Sequence, residues 1–159
     1  MKSDMSTVVR TITDFIFGFI IVFGIYIIIH GHLTPGGGFQ GGAVVASGFA
    51  LFFVAFTHDF NRKKPQKLYG MFESIGLIIF ILLAFFGIYK TFFYNFLANS
   101  GSLFGMTIRP GINPGYFNTG GVVPLMNMAV GFEVACGLSL IVYLLYRGEK
   151  KDREDSESE

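Results

Sequence analysis

The sequence predicts an all-α integral membrane protein with four transmembrane helices and both termini in the cytoplasm. Three observations predict it. Charged residues make up 14% of the chain against 52% hydrophobic residues. A soluble domain carries about 25% charged residues, so something other than water must solvate much of this surface. From Phe15 to His58 there is no Asp, Glu, Lys or Arg, an uncharged stretch long enough for two crossings at roughly 20 helical residues each. Finally, Lys and Arg are distributed unevenly between the two sides of a four-span arrangement.

The spans read as residues 8–29, 39–57, 68–89 and 122–146, giving one membrane domain over 1–146 and a charged cytoplasmic tail over 147–159. Pro35 and Gly36, Gly37, Gly38 divide the first uncharged stretch in two. The N-terminus, Met1 to Arg10, leads into an apolar run with no small-residue cleavage site after it, so it reads as a retained helix. Thr91 to Ile108 is uncharged but broken by Asn95, Asn99, Ser100 and Gly101. Lys90 to Gly121 is therefore expected to be an external loop with one short interfacial helix over Thr91 to Leu97. The tail from Arg147 is dense in both signs of charge, the pattern of a solvated, mostly disordered end.

Orientation follows from the cations near the span ends. Lys2, Arg10, Arg62, Lys63, Lys64, Lys67, Arg147, Lys150, Lys151 and Arg153 fall on one side, and only Lys90 and Arg109 on the other. The richer side is predicted to be cytoplasmic. A fifth span would export the basic tail and is disfavoured for that reason. Tyr69, Tyr89, Tyr143 and Tyr146 fall near span ends, as interfacial aromatics do.

His30 to Gly42 is the most distinctive stretch. Gly36, Gly38 and Gly41 match G-x-G-x-x-G, but that spacing binds dinucleotides only after a short strand inside a βαβ unit. Here it follows an apolar run far longer than a strand, and no G-K-[ST] is present. The turn is expected to pack tightly against another chain, with exposed backbone lining an ion route as the functional alternative. Gly38, Gly42, Ala46 and Ala50 recur every four residues, as do Asn127, Gly131, Ala135 and Ser139. Such ridges of small residues let membrane helices pack closely. His30 and His32 are two residues apart, which does not place two ligands on one helical face, and no metal site is predicted. Cys136 is the only cysteine, so no internal disulfide forms and no haem, flavin or iron–sulfur ligand set is present.

Three acids lie in the spans. Glu133 is near the middle of span four, where a carboxylate must find a partner, a proton or water. Glu73 and Asp14 lie toward the cytoplasmic ends of spans three and one. Asp14 is expected to pair with Arg10, four residues away, and Glu73 to reach the headgroup layer. Glu133, Glu73 and Asp14 are the candidate ion or proton path. The composition favours a transport-complex subunit over an enzyme.

The run Gly31-His32-Leu33-Thr34-Pro35-Gly36-Gly37-Gly38-Phe39-Gln40-Gly41-Gly42 resembles the signature turn of the B subunit of Mrp-type (Mnh) multisubunit cation/proton antiporters. Pro124 to Leu140, with Asn127-Met128-Ala129-Val130-Gly131, is similar too. The resemblance implies a bacterial cytoplasmic membrane complex that exchanges internal Na⁺ for external H⁺. It implies other antiporter subunits and membrane lipids as partners, no nucleic acid, and no cofactor on this chain. Related subunits occur in membrane-bound hydrogenases, so a redox-driven ion pump is the alternative, with a purely structural adaptor as the third reading.

Overall fold

The computed structural model describes residues 6–33, 36–56, 65–108 and 116–157, with residue 65 and residues 149–157 described by their backbone alone. Pro35 of the signature turn, and Lys2, Arg62, Lys63, Lys64 and Arg109 of the charge pattern, lie outside the described residues. Ser6 starts the first helix: its hydroxyl accepts the Val9 N–H at 3.4 Å, satisfying one of the free donors at a helix start. Helix α1 runs Thr7–Ile29 and closes with a three-residue step from Gly31 N–H to the Ile28 carbonyl. Gly36 adopts φ +93°, the left-handed region that favours glycine, and α2 follows over Gly38–Ala55. Helix α3 spans Pro65–Phe86. A 3₁₀ turn over Phe117–Thr119 precedes α4, Val123–Glu157.

Among the described residues all regular structure is helical, and four helices are long and apolar enough to cross a membrane. This is a multi-pass membrane protein. At 1.5 Å per residue the 18 residues of α2 cover about 27 Å, the shortest crossing of the four and close to the roughly 30 Å bilayer core.

Close contacts at glycine set the helix directions. A Cβ built on Gly24 would lie 2.6 Å from Val45 and 3.0 Å from the Gly41 carbonyl oxygen, while Gly48 faces Ile20, so α1 and α2 run antiparallel. Gly76 faces Ala129 and Glu133, and Gly70 faces Leu140, so α3 and α4 are antiparallel too. Gly38 meets Asn127 and Val130, and Gly42 meets Gly131 and Val134. Both sequences advance together there, so α2 and α4 run parallel. Two antiparallel hairpins are thus joined through their second helices, and α1 and α3 flank the α2/α4 pair. Parallel α2 and α4 are what four alternating crossings require.

Burial follows this layout. The buried apolar side chains include Val45, Ala46 and Phe53 on α2 and Ala129, Ala135 and Tyr143 on α4. The flanking helices expose Phe15, Phe19, Val22 and Phe23 on α1, and Met71, Ile78, Leu82 and Phe86 on α3. Those faces suit lipid or partner helices.

Two expectations are corrected. No helix forms over Thr91 to Leu97; the chain there is a series of turns. Gly87 lets the backbone of Tyr94 come within van der Waals distance, Phe93 N–H returns to the Ala84 carbonyl at 3.2 Å, and Phe93 takes φ 66°. That left-handed residue ends any helical run. The charged tail was expected to be disordered, yet α4 continues to Glu157. Its Glu, Lys and Arg residues are good helix formers. Glu149 with Arg153, and Lys150 with Glu154, stand at the i, i+4 spacing that supports a solvated helix.

Candidate functional site

Two of the three membrane acids meet on one seam. Gly76 of α3 sits directly over Glu133 of α4: an added Cβ would lie 2.9 Å from Glu133 Cβ and 3.0 Å from its Cα. Three residues before Gly76, the Glu73 carboxyl lies over Gly137, its Oε1 3.1 Å from where a Cβ would stand. Glu133 and Gly137 are four residues apart, so the two acids occupy successive turns of one interface, roughly 6 Å apart along the axis. Both are half-buried. No hydrogen bond or ion pair reaches either carboxylate among the described residues. A membrane carboxylate in that state takes up a proton, a cation or water.

Asp14 is elsewhere. It is exposed on α1, on the opposite flank from α3. Its expected ion pair with Arg10 is absent among the described residues. The Arg10 guanidinium instead lies 5.7 Å from the Phe56 ring centre at the end of α2, with Nε buried and without a partner among the described residues. A cation over an aromatic face is favourable where water is scarce.

Within the chain the signature turn packs on α1 and α4. Gly37 stacks on Gly31, and a Cβ built on Gly31 would lie 2.8 Å from the side-chain nitrogen of Asn127 on α4. Gly38 and Gly41 are buried, with Gly41 against Ile28 and Gly24, and Gly42 faces Gly131 and Val134. The two ridges therefore pack on each other: Ala46, Ala135 and Ser139 are buried, and Ala50 is half-buried. Phe39 is exposed. His32 places Nδ1 3.1 Å from the Ile29 carbonyl, which assigns the proton to Nδ1. Its ring stands edge-on to Phe117, with centres 5.8 Å apart. Nε2 is buried with no partner among the described residues.

Several contributors were missed at the sequence level. Gly24 and Gly76 are isolated glycines in apolar runs, and that isolation was the available signal. Asn95 ties the segment between α3 and α4 together: Nδ2 donates to the Gly120 carbonyl at 3.1 Å, and Oδ1 accepts Val122 N–H at 2.9 Å. No local pattern announces a contact across that separation.

A cavity of about 780 Å³ opens between the α1 and α3 flanks over α4, lined by Phe17, Ile25, Leu83, Phe132 and other apolar groups. It offers no ligand for an ion. No group of three or more His, Cys, Asp or Glu side chains that could hold a metal occurs among the described residues.

This arrangement, a short α2 sealed by a glycine turn and an acid seam between α3 and α4, can be set beside known proteins. A family model described as a domain related to the MnhB subunit of Na⁺/H⁺ antiporter matches residues 8–140. The chain belongs to this MnhB-related family. An uncharacterized protein of Methanocaldococcus jannaschii is 38% identical over 129 residues, covering 79% of this chain and 46% of that one. A Staphylococcus haemolyticus protein named as a candidate antiporter subunit, mnhB2, is 37% identical over 92 residues, covering 55% of this chain and 64% of the relative. Among solved structures, a chain of the membrane-bound sulfane sulfur reductase, an archaeal respiratory membrane complex, superposes with a TM-score of 0.72 at 32% identity. That match covers 89% of this chain and 58% of the solved one. Each of these relatives is longer than the region this MnhB-related chain matches.

Proposed function

We propose that this chain is a membrane subunit of a multisubunit Na⁺/H⁺ antiporter, in which the Glu73–Glu133 seam takes part in proton or cation movement. The family membership supports the antiporter assignment. The observation that carries the seam is the pair of half-buried acids on successive turns of the α3–α4 interface. Proton or cation exchange is the ordinary role of an ionisable group held inside a membrane bundle. Other antiporter subunits and lipid occupy the apolar flanks of α1 and α3. Both termini face the cytoplasm, on the side of Arg10, Lys67 and Arg147.

The 32% identity to a respiratory-complex chain favours a second reading, a membrane subunit of a redox-driven ion pump. With Cys136 as the one cysteine, a redox centre in such an assembly would be carried by other subunits. The test is Na⁺-dependent proton movement in sealed vesicles holding the intact complex, with and without an electron donor. Exchange driven by a Na⁺ gradient alone supports the antiporter. Proton movement that appears only while a donor is oxidised supports the pump and overturns the first reading.

A further inference from the structure

Ser139 of α4 is fully buried, and its hydroxyl has no hydrogen-bond partner among the described residues. A helical serine ordinarily satisfies its hydroxyl on a carbonyl one turn back. Ser47 does so on Val44 at 2.7 Å and Ser74 on Gly70 at 2.9 Å. Ser139 does not, so its oxygen is left for another group. An unpaired hydroxyl in an apolar core is unfavourable, and buried water is the usual remedy where other polar groups stand near.

Polar groups do stand near. Cys136 is three residues before Ser139 and Tyr143 four residues after, so the three share one face of α4. Tyr69 enters from α3 with its phenol in electrostatic reach of the Cys136 thiol and the Tyr143 hydroxyl. Its ring stands edge-on to Phe49 and Phe53, each with centres 6.3 Å away, and Phe53 stands edge-on to Tyr143 at 5.7 Å. Cys136 in turn precedes Gly137, over which the Glu73 carboxyl lies. Helix α3 therefore supplies Glu73 and Tyr69, α4 supplies Cys136, Ser139 and Tyr143, and α2 supplies the aromatic rings of Phe49 and Phe53.

We propose that this row of hydroxyl and thiol groups binds water and continues the Glu133–Glu73 seam toward the Arg10 and Arg147 end of the bundle, with the buried Ser139 as the residue that holds the water. The proposal rests on the seam reading given under Proposed function. Serine and tyrosine hydroxyls both donate and accept. A proton leaving the Glu73 carboxyl is taken by a water lone pair, that water passes one of its own protons to the next oxygen, and the last group releases one to solvent at the Arg10 and Arg147 end. Glu73 regains a proton from the Glu133 side of the seam, so each group returns to the proton count it began with.

Radiolytic hydroxyl labelling of the purified complex reports bound water without reference to transport. Tyr69, Cys136 and Tyr143 are expected to label well above Phe53, which is as buried as Tyr143, and Ser139→Ala is expected to lower that labelling severalfold. Labelling no faster than at Phe53, or unchanged in Ser139→Ala, overturns the proposal. In vesicles, Ser139→Ala and Tyr69→Phe should each slow Na⁺/H⁺ exchange roughly tenfold, the scale of a lost hydrogen bond, with the complex at its normal level. Tyr69→Phe keeps the ring that packs on α2, so loss of packing does not mimic the effect. If Glu133→Gln abolishes exchange while both variants keep the wild-type rate, the water row fails and the seam stands. If all three keep the wild-type rate, both fail.

Discussion

Gly76 is the contact that lets α3 close on Glu133, and adding one methyl group there measures how tight the seam is. A Cβ at Gly76 would lie 2.9 Å from Glu133 Cβ and 3.0 Å from both Glu133 Cα and the Ala129 carbonyl oxygen. Carbon atoms pack best at about 3.5–4.0 Å, so α3 must recede by roughly 0.5–1 Å. The obstructing atoms are backbone and Cβ, which no rotamer change moves aside. Overpacking of this kind costs about 1–3 kcal/mol. Replacing a mid-helix glycine by alanine also returns up to about 1 kcal/mol of helix propensity. Gly18 supplies the correction, because it lies inside α1 with nothing within 4 Å of its Cβ position. The difference between Gly76→Ala and Gly18→Ala therefore isolates packing, and Gly76→Ala is expected to be the less stable by about 1–3 kcal/mol. Pulse proteolysis of the purified complex across a denaturant series, following this chain's own band, reads that difference. Equal midpoints for the two variants would refute the reasoning, because they would mean that α3 and α4 are not in contact at Glu133.

Asn95→Ala removes both of its bonds from the α3–α4 connection to the start of α4. Leaving those two backbone groups unpaired costs about 1–3 kcal/mol locally, and amide exchange at Val122 is expected to speed up while mid-helix exchange on α2 stays the same. For topology, in a background with Cys136 replaced, Ser102→Cys is expected to react with an impermeant maleimide from outside the cell and Lys67→Cys only from inside. Reaction of Ser102→Cys from the inside alone would overturn the proposed orientation.

Much of the fold could be read in the sequence because membrane spans are set by simple quantities. A bilayer core demands long uncharged apolar runs, and the Pro35–Gly38 interruption divides the first of them. Contacts between helices were harder to read. The four-residue ridge from Gly38 on α2 and the ridge from Asn127 on α4 were visible as periodicity, but periodicity does not say which ridge meets which. The glycine turn was expected to face a partner; within the chain, Gly31 and Gly38 meet Asn127, Gly38 also meets Val130, and Gly37 meets Gly31. Three acids were visible in the spans, but only the pairing of α3 with α4 brings Glu73 to Glu133 and leaves Asp14 apart. Arg10 and Asp14 have ideal spacing for an ion pair, but among the described residues Arg10 lies over the Phe56 ring instead. The charged tail continues α4 because its composition suits a helix as well as it suits disorder.

The central claim is that the Glu73–Glu133 seam carries charge, and a mutant cycle across it is the most direct test. Glutamine keeps the size of each side chain and cannot ionise. Na⁺/H⁺ exchange would be measured in vesicles at matched complex levels for Glu73→Gln, Glu133→Gln, the double variant and Asp14→Asn. Residues acting as one unit are non-additive, so each single seam variant is expected to lower exchange by roughly tenfold or more, the scale of proton transfer by a positioned group. The double variant should be no worse than the weaker single. Asp14→Asn, outside the seam, should exchange at the wild-type rate. Wild-type exchange in Glu133→Gln, or a double variant whose loss is the product of the two single losses, would contradict the account.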